Sequence, residues 1–105
     1  MPDVVYQAVD GLQVTLTERR WLIHILPRHG EITEADVAQA LTAAACVYQH
    51  RTDPMQRIYQ GHPRPTGFFR GLFPLVVVAV SGEDTGTVVT AYLTSLPYRG
   101  VQRCP

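Results

Sequence analysis

The period of the apolar positions changes along the chain, and the changes mark its elements. Val4 to Val9 and Leu12 to Leu16 are short β-prone runs separated by Asp10-Gly11, a pair that favours a tight hairpin turn. Thr17 then suits an N-cap, and Glu18 places a negative charge in a first helical turn. A first helix is expected from Glu18 to about Leu26, with Trp21, Leu22, Ile25 and Leu26 as its apolar stripe. Pro27 costs about 3 kcal/mol inside a helix, because it lacks an N–H and clashes with the preceding turn. A kink or stop is expected there, with Gly30 as the C-terminal cap. Thr33 caps the next segment, and Asp36 three residues on resembles a capping box. A second helix follows from Glu34 to about Ala44, with Val37, Ala40 and Leu41 facing the core.

Beyond Ala44 the period falls to two. Cys46 to His50 and Met55 to Gln60 read as strands around a Thr52-Asp53-Pro54 turn. Gly61 to Gly71 holds three glycines and two prolines and reads as a loop. Leu72 to Val80 reads as a central strand, Ser81 to Asp84 as a turn, and Thr85 to Ser95 as a long strand. The tail from Leu96 is expected to be irregular. Together these predict one α+β domain over residues 1–105. A hairpin and two helices would pack on a four-stranded antiparallel sheet.

Composition narrows the function classes. The chain has 105 residues, 46% of them hydrophobic and 17% charged, an ordinary globular balance that supports one core. The longest near-apolar run, Leu72 to Val80, is too short for a membrane span. The N-terminus lacks the pattern of a signal peptide. The expected location is cytoplasmic, as a free protein or as an effector domain delivered into a target cytoplasm. Cys46 and Cys104 have no metal-ligand spacing, and a disulfide between them is not expected. The net charge is zero, so no strong global attraction to nucleic acid exists. All nine basic residues are arginine, which coding bias explains as well as phosphate recognition does. Arg51, Arg57, His62, Arg64 and Arg70 share one stretch with a single acid, Asp53, which points to a locally basic face.

The candidate chemistry lies in Trp21 to His29. Two of the four histidines, His24 and His29, and Arg28 fall within six residues. Histidine exchanges protons near neutral pH, and arginine grips phosphate in a bidentate fork. These are the groups that metal-free phosphodiester chemistry needs. Each also has a structural reading. His29 shares the Trp21–Ile25 stripe and would then be a core-edge histidine. Arg28 would pair with Glu31. A zinc site built from His24, His29 and His50 or His62 matches no structural zinc spacing. Thr90 and Tyr92, two apart on a strand, share a face, with Val89, Ala91 and Leu93 on the other. Arg57 and Tyr59 share a face in the same way.

The pattern resembles the barnase–EndoU–colicin–RelE-like (BECR) group of small ribonucleases, most closely members found in phages and mobile elements. The residues that carry it are His24-Ile25, Arg28-His29, the acidic helix from Thr33, and Arg57-Ile58-Tyr59. Two further strands add to it, Leu75 to Val80 and Val88 to Tyr92. The resemblance implies an open sheet face that binds RNA and cofactor-free, metal-independent cleavage to a 2′,3′-cyclic phosphate. It also implies an inhibitory partner protein. His24, Arg28, His29, Thr90 and Tyr92 become the expected catalytic set, and Arg57, Tyr59, Arg64 and Arg70 the expected RNA-binding set. The alternatives are a non-catalytic RNA- or protein-binding module of the same fold, and a structural protein of a mobile element that uses the exposed sheet as an interface.

Overall fold

The computed structural model describes residues 2–104, with side chains described as far as residue 103. Seven strands form one mixed sheet: β1 (Val4–Gln7), β2 (Gln13–Leu16), β3 (Cys46–Gln49), β4 (Gln56–Gln60), β5 (Phe73–Ser81), β6 (Thr85–Thr94) and β7 (Gln102–Cys104). Their order across the sheet is β1-β2-β6-β5-β4-β3-β7. This replaces the expected four-stranded antiparallel sheet carrying a separate hairpin and two helices. The hairpin is not a separate layer, because β2 joins the edge of β6 in parallel, Gln13 opposite Thr85 and Thr15 opposite Thr87. The tail is not irregular throughout either, because β7 pairs with β3. Both additions are long-range pairings that no local period encodes. Only β3 to β6 form the antiparallel run of the prediction.

Two short helical segments accompany the sheet. Helix α1 (Glu34–Thr42) starts at a complete capping box: the Asp36 N–H donates to Thr33 Oγ1, and the Thr33 N–H donates to Asp36 Oδ2 at 2.9 Å. Val37, Ala40 and Leu41 are fully buried against β4 and β5. The earlier segment, Arg20–Ile25, is a π-helix, closed by the Leu26 N–H on the Trp21 carbonyl at 2.9 Å. It stops before Pro27, which has no N–H to continue the ladder. In this wider turn neighbours on one face are four and five residues apart. That spacing buries Trp21 and Ile25, half-buries Leu26 and leaves Leu22 and Ile23 about half exposed, at 48% and 53%. The expected α-helical stripe placed Leu22 inward. Gly30 does not adopt the left-handed backbone expected of a C-terminal cap.

The helices cover one face of the sheet. The core there joins Val14, Leu16, Trp21, Ile25, Val37, Leu41, Val47, Tyr59, Val76, Val78, Val88 and Ala91. Burying a side chain of this size contributes about 1.5–3 kcal/mol. A β-bulge adjusts the pattern in β6. Thr90 pairs with Val77 but Val88 with Val78, so Val89 is the extra residue. The strand therefore presents Val88, Ala91 and Leu93 to the core, with Val88 in place of the expected Val89. Gly86 is where β6 passes closest to its neighbours. A Cβ there would meet Val78 Cγ1 at 2.7 Å, the Ala79 carbonyl at 3.0 Å and Leu12 Cδ2 at 3.1 Å. Gly86→Ala is expected to destabilise by about 1–3 kcal/mol through overpacking, read as a lowered urea midpoint with an unchanged slope.

The second face is half covered by the chain after β6. Tyr98 donates its N–H to Gln60 Oε1 at 3.2 Å and packs its ring 5.7 Å from that of Tyr48. Ile58 and Leu75 are buried on this face although they lie outside the main core. This double cover explains why β5 reads as a continuous apolar run rather than an alternating one.

Arg64 ties the long loop to α1. Its guanidinium bonds both Asp36 carboxylate oxygens, the shorter contact being Nη2 to Oδ2, and donates to the Glu31 carbonyl at 2.9 Å. Burial would by itself raise the Asp36 pKa, but hydrogen bonds from Arg64 and Thr33 and the Arg64 charge hold it below the usual carboxylate range. The folded state therefore binds fewer protons than the unfolded chain as pH falls below about 4. The contribution is full above that pH and is lost as pH drops through the lowered folded value. Asp36→Asn is expected to lose about 1.5–3 kcal/mol at pH 7. Its urea midpoint should fall less between pH 7 and pH 3 than that of the parent.

Candidate functional site

The first candidate residues come from the break after the π-helix. His29 lies just beyond Pro27, its N–H held by the Ile25 carbonyl at 2.7 Å. The break frees its imidazole from the helical stripe and brings it against Tyr92 of β6, ring centroids 5.4 Å apart. Thr90, Tyr92 and Thr94 follow each other on the second face of β6, beyond the bulge. His24 stays on the π-helix, half-buried, and Arg28 is exposed. Neither side chain makes a hydrogen bond or ion pair among the described residues, so Arg28 does not pair with Glu31. Of the five expected catalytic residues, the fold brings His29 and Tyr92 into contact.

Tyr92 also lines a cavity of about 410 Å³ between the sheet and the segment after β6, together with Leu75, Thr94, Tyr98, Arg51 and Arg99. Burial raises the Tyr92 phenol pKa above its usual value; the neighbouring Tyr98 adds to this and Arg51 works against it. The phenol is therefore protonated at neutral pH and serves as a donor. Arg51 lies over the Tyr98 ring, its Cζ 5.8 Å from the centroid, and its N–H donates to the Tyr98 hydroxyl at 2.9 Å. Among the described residues no carboxylate pairs with Arg51 or Arg99. The wall thus carries two uncompensated guanidiniums, a phenol donor and a nearby imidazole. Such a set can neutralise a phosphodiester and exchange a proton beside it.

The arginines expected to form one basic face are dispersed. Arg57 turns to the helix side, where its Nη1 donates to Asp10 Oδ2 at 2.9 Å. Tyr59 is fully buried on the same side, and its hydroxyl donates to both Asp10 oxygens at 2.9 and 3.0 Å. Burial, then the Asp10 contact, pushes the Tyr59 pKa far up. Arg64 is engaged by Asp36, whereas Arg70 is exposed on its loop and Arg51 stands apart at the cavity wall, neither paired with a carboxylate among the described residues. Arg57, Tyr59 and Arg64 therefore hold the fold together, because each finds a carboxylate that the linear pattern did not assign to it. Asp10 reaches Arg57 because the hairpin connection is a longer loop than expected. It is closed by the Ala8 N–H on the Leu12 carbonyl at 2.8 Å, and Gly11 takes a φ of +91° within it.

Among the described residues no three His, Cys, Asp or Glu side chains converge as a metal site. Cys46 is a free, half-buried thiol, and the Cys104 side chain lies outside the described residues. No helix among the described residues is long and apolar enough to cross a membrane. Sequence reasoning missed Tyr98 and Arg99 by reading the tail as irregular. The signal was Pro97-Tyr98-Arg99-Gly100, an aromatic and a cation between a proline that fixes φ and a glycine that permits close approach.

No protein-family model, no curated protein and no solved structure matches this chain. The chemistry of the site therefore rests on its own residues.

Proposed function

We infer that the protein is a ribonuclease that cleaves RNA by attack of the 2′-OH on the adjacent phosphate. The observation that carries this is the His29 imidazole packed against Tyr92, whose own side chain lines a cavity with two arginines that no carboxylate pairs among the described residues. RNA brings its own nucleophile, so a protein need only take the 2′-OH proton and stabilise charge at phosphorus. His29 takes that proton. The Tyr92 phenol donates a hydrogen bond to a non-bridging phosphate oxygen, and Arg51 and Arg99 offset the charge. The 2′-oxygen bonds to phosphorus, the bond to the 5′-oxygen breaks, and that oxygen takes a proton from solvent. The products are a 2′,3′-cyclic phosphate and a 5′-hydroxyl. Arg51 and Arg99, and not the expected Arg28, grip the phosphate in this reading, since they share the cavity with Tyr92.

The test is incubation of purified protein with total RNA, with and without EDTA, followed by analysis of the new ends. Cyclic phosphate ends that form in EDTA and are lost in Arg51→Ala/Arg99→Ala support the reading. Intact RNA with a folded protein overturns it and leaves a binding module.

A further inference from the structure

A second cavity, of about 490 Å³, adjoins the first. It is lined by Gln49, His50, Arg51, Arg99, Gly100 and Val101. The two cavities share Arg51 and Arg99. Tyr98 belongs to the wall of the first, and its ring lies 6.3 Å from that of His50 in the second. The separation is built into the chain. A Cβ on Gly100 would lie 2.6 Å from the Tyr98 ring and 2.7 Å from the Gln49 carbonyl, so glycine alone lets the segment pass so close to β3. The Tyr98 hydroxyl is anchored by the Arg51 N–H.

His50 has a defined orientation. Its Nδ1 accepts the N–H groups of Thr52 and Asp53, at 3.2 and 3.1 Å. The ring proton therefore resides on Nε2, which makes no hydrogen bond among the described residues. A ring held this way is a hydrogen-bond donor and a stacking surface.

We propose that Tyr98 divides the site into two nucleotide subsites, so that the substrate is single-stranded RNA with one nucleoside in each cavity and their shared phosphate held by Arg51 and Arg99. This rests on the ribonuclease reading and deepens it. The nucleoside with the reacting 2′-OH occupies the Tyr92 cavity, with its 2′-OH directed past the Tyr92 ring toward His29. The nucleoside that leaves through its 5′-oxygen occupies the His50 cavity. Two cationic forks on one linking phosphate match its two non-bridging oxygens. Bases placed either side of a ring must be unstacked from each other, which single strands allow and a duplex does not.

The experiment compares two substrates: a dinucleoside phosphate, and a nucleoside 3′-phosphate aryl ester that has no second nucleoside. The variants are His50→Asn, whose side-chain oxygen can replace Nδ1 as acceptor for the turn, and Val101→Glu, which puts a negative charge at the second cavity. Val101 is 75% exposed, so this change leaves the core intact. The ratio of kcat/KM for dinucleotide over aryl ester should fall about tenfold in each variant, the range expected for one lost base contact. Duplex RNA should not compete. A ratio equal to the parent's in both variants overturns the two-subsite arrangement while leaving the ribonuclease reading in place. If the parent cleaves neither substrate, that reading fails, and binding of a 2′-O-methyl dinucleoside phosphate decides the subsites. Tighter binding than that of a nucleoside monophosphate, weakened in both variants, supports them, and equal binding overturns them.

Discussion

Replacing His29 by alanine should lower kcat for RNA cleavage by about 10²–10⁴-fold, the contribution of a positioned acid or base, with KM little changed. The imidazole lies against Tyr92 and not between Arg51 and Arg99, so its loss removes the proton acceptor while leaving the phosphate-binding cations in place. A group that acts only in the transition state lowers kcat and kcat/KM together. Arg51→Ala should differ in kind, raising KM as well, because an arginine on phosphate binds ground state and transition state alike. Single-turnover and steady-state assays at saturating RNA separate the two. Tyr92→Phe keeps the ring beside His29 and removes only the donor, so an intermediate loss is expected. If His29→Ala cleaves as fast as the parent, His29 is a core-edge histidine and the proton acceptor lies elsewhere.

The largest effect on stability is expected at Asp10, on the other side of the sheet. Its side chain is 6% exposed and holds the Arg57 guanidinium, itself 19% exposed, as well as the Tyr59 hydroxyl. Asp10→Ala leaves a mostly buried cation unpaired and a buried hydroxyl without an acceptor. Breaking such a group from one side costs about 3–5 kcal/mol, a large share of the 5–15 kcal/mol typical of a small domain. Asp10→Asn should cost less, since an amide oxygen still accepts from Tyr59. The double variant Asp10→Ala/Arg57→Met should recover part of the loss by removing the stranded charge. Urea melts at pH 7 of the parent, Asp10→Ala, Arg57→Met and the double variant close the cycle, with Asp10→Asn measured beside them. If Asp10→Ala loses under 1 kcal/mol, water reaches the triad and it is not a buried anchor. Activity should persist in any variant that stays folded, because Asp10 lines a different cavity from Tyr92.

Local signals carried far in this chain. Thr33 and Asp36 announced the start of α1, since a capping box needs only four consecutive residues. Pro27 marked the end of the first helical segment for the same reason: a missing N–H acts within one turn. Strand-forming runs at β3 to β6 were legible from apolar alternation and turn residues, and Thr90 and Tyr92 were placed on one face by the period of two. The width of the turn at Arg20–Ile25 was not legible, because α and π spacings differ by less than one residue over so short a segment.

The amino-acid sequence by itself determined the capping box, the proline stop, the positions of β3 to β6 and the clustering of His24, Arg28 and His29. Each depends on neighbours within a few residues. Only the tertiary structure decided that β2 would dock in parallel on β6 and that the tail would return to pair with β3. Only it decided that Arg57 and Tyr59 would close on Asp10, and that Tyr98 and Arg99 would lie across the sheet beside Tyr92. Those choices join residues tens of positions apart. They follow from where a buried charge finds its partner and where an uncovered apolar face finds its cover, and neither is written in local order.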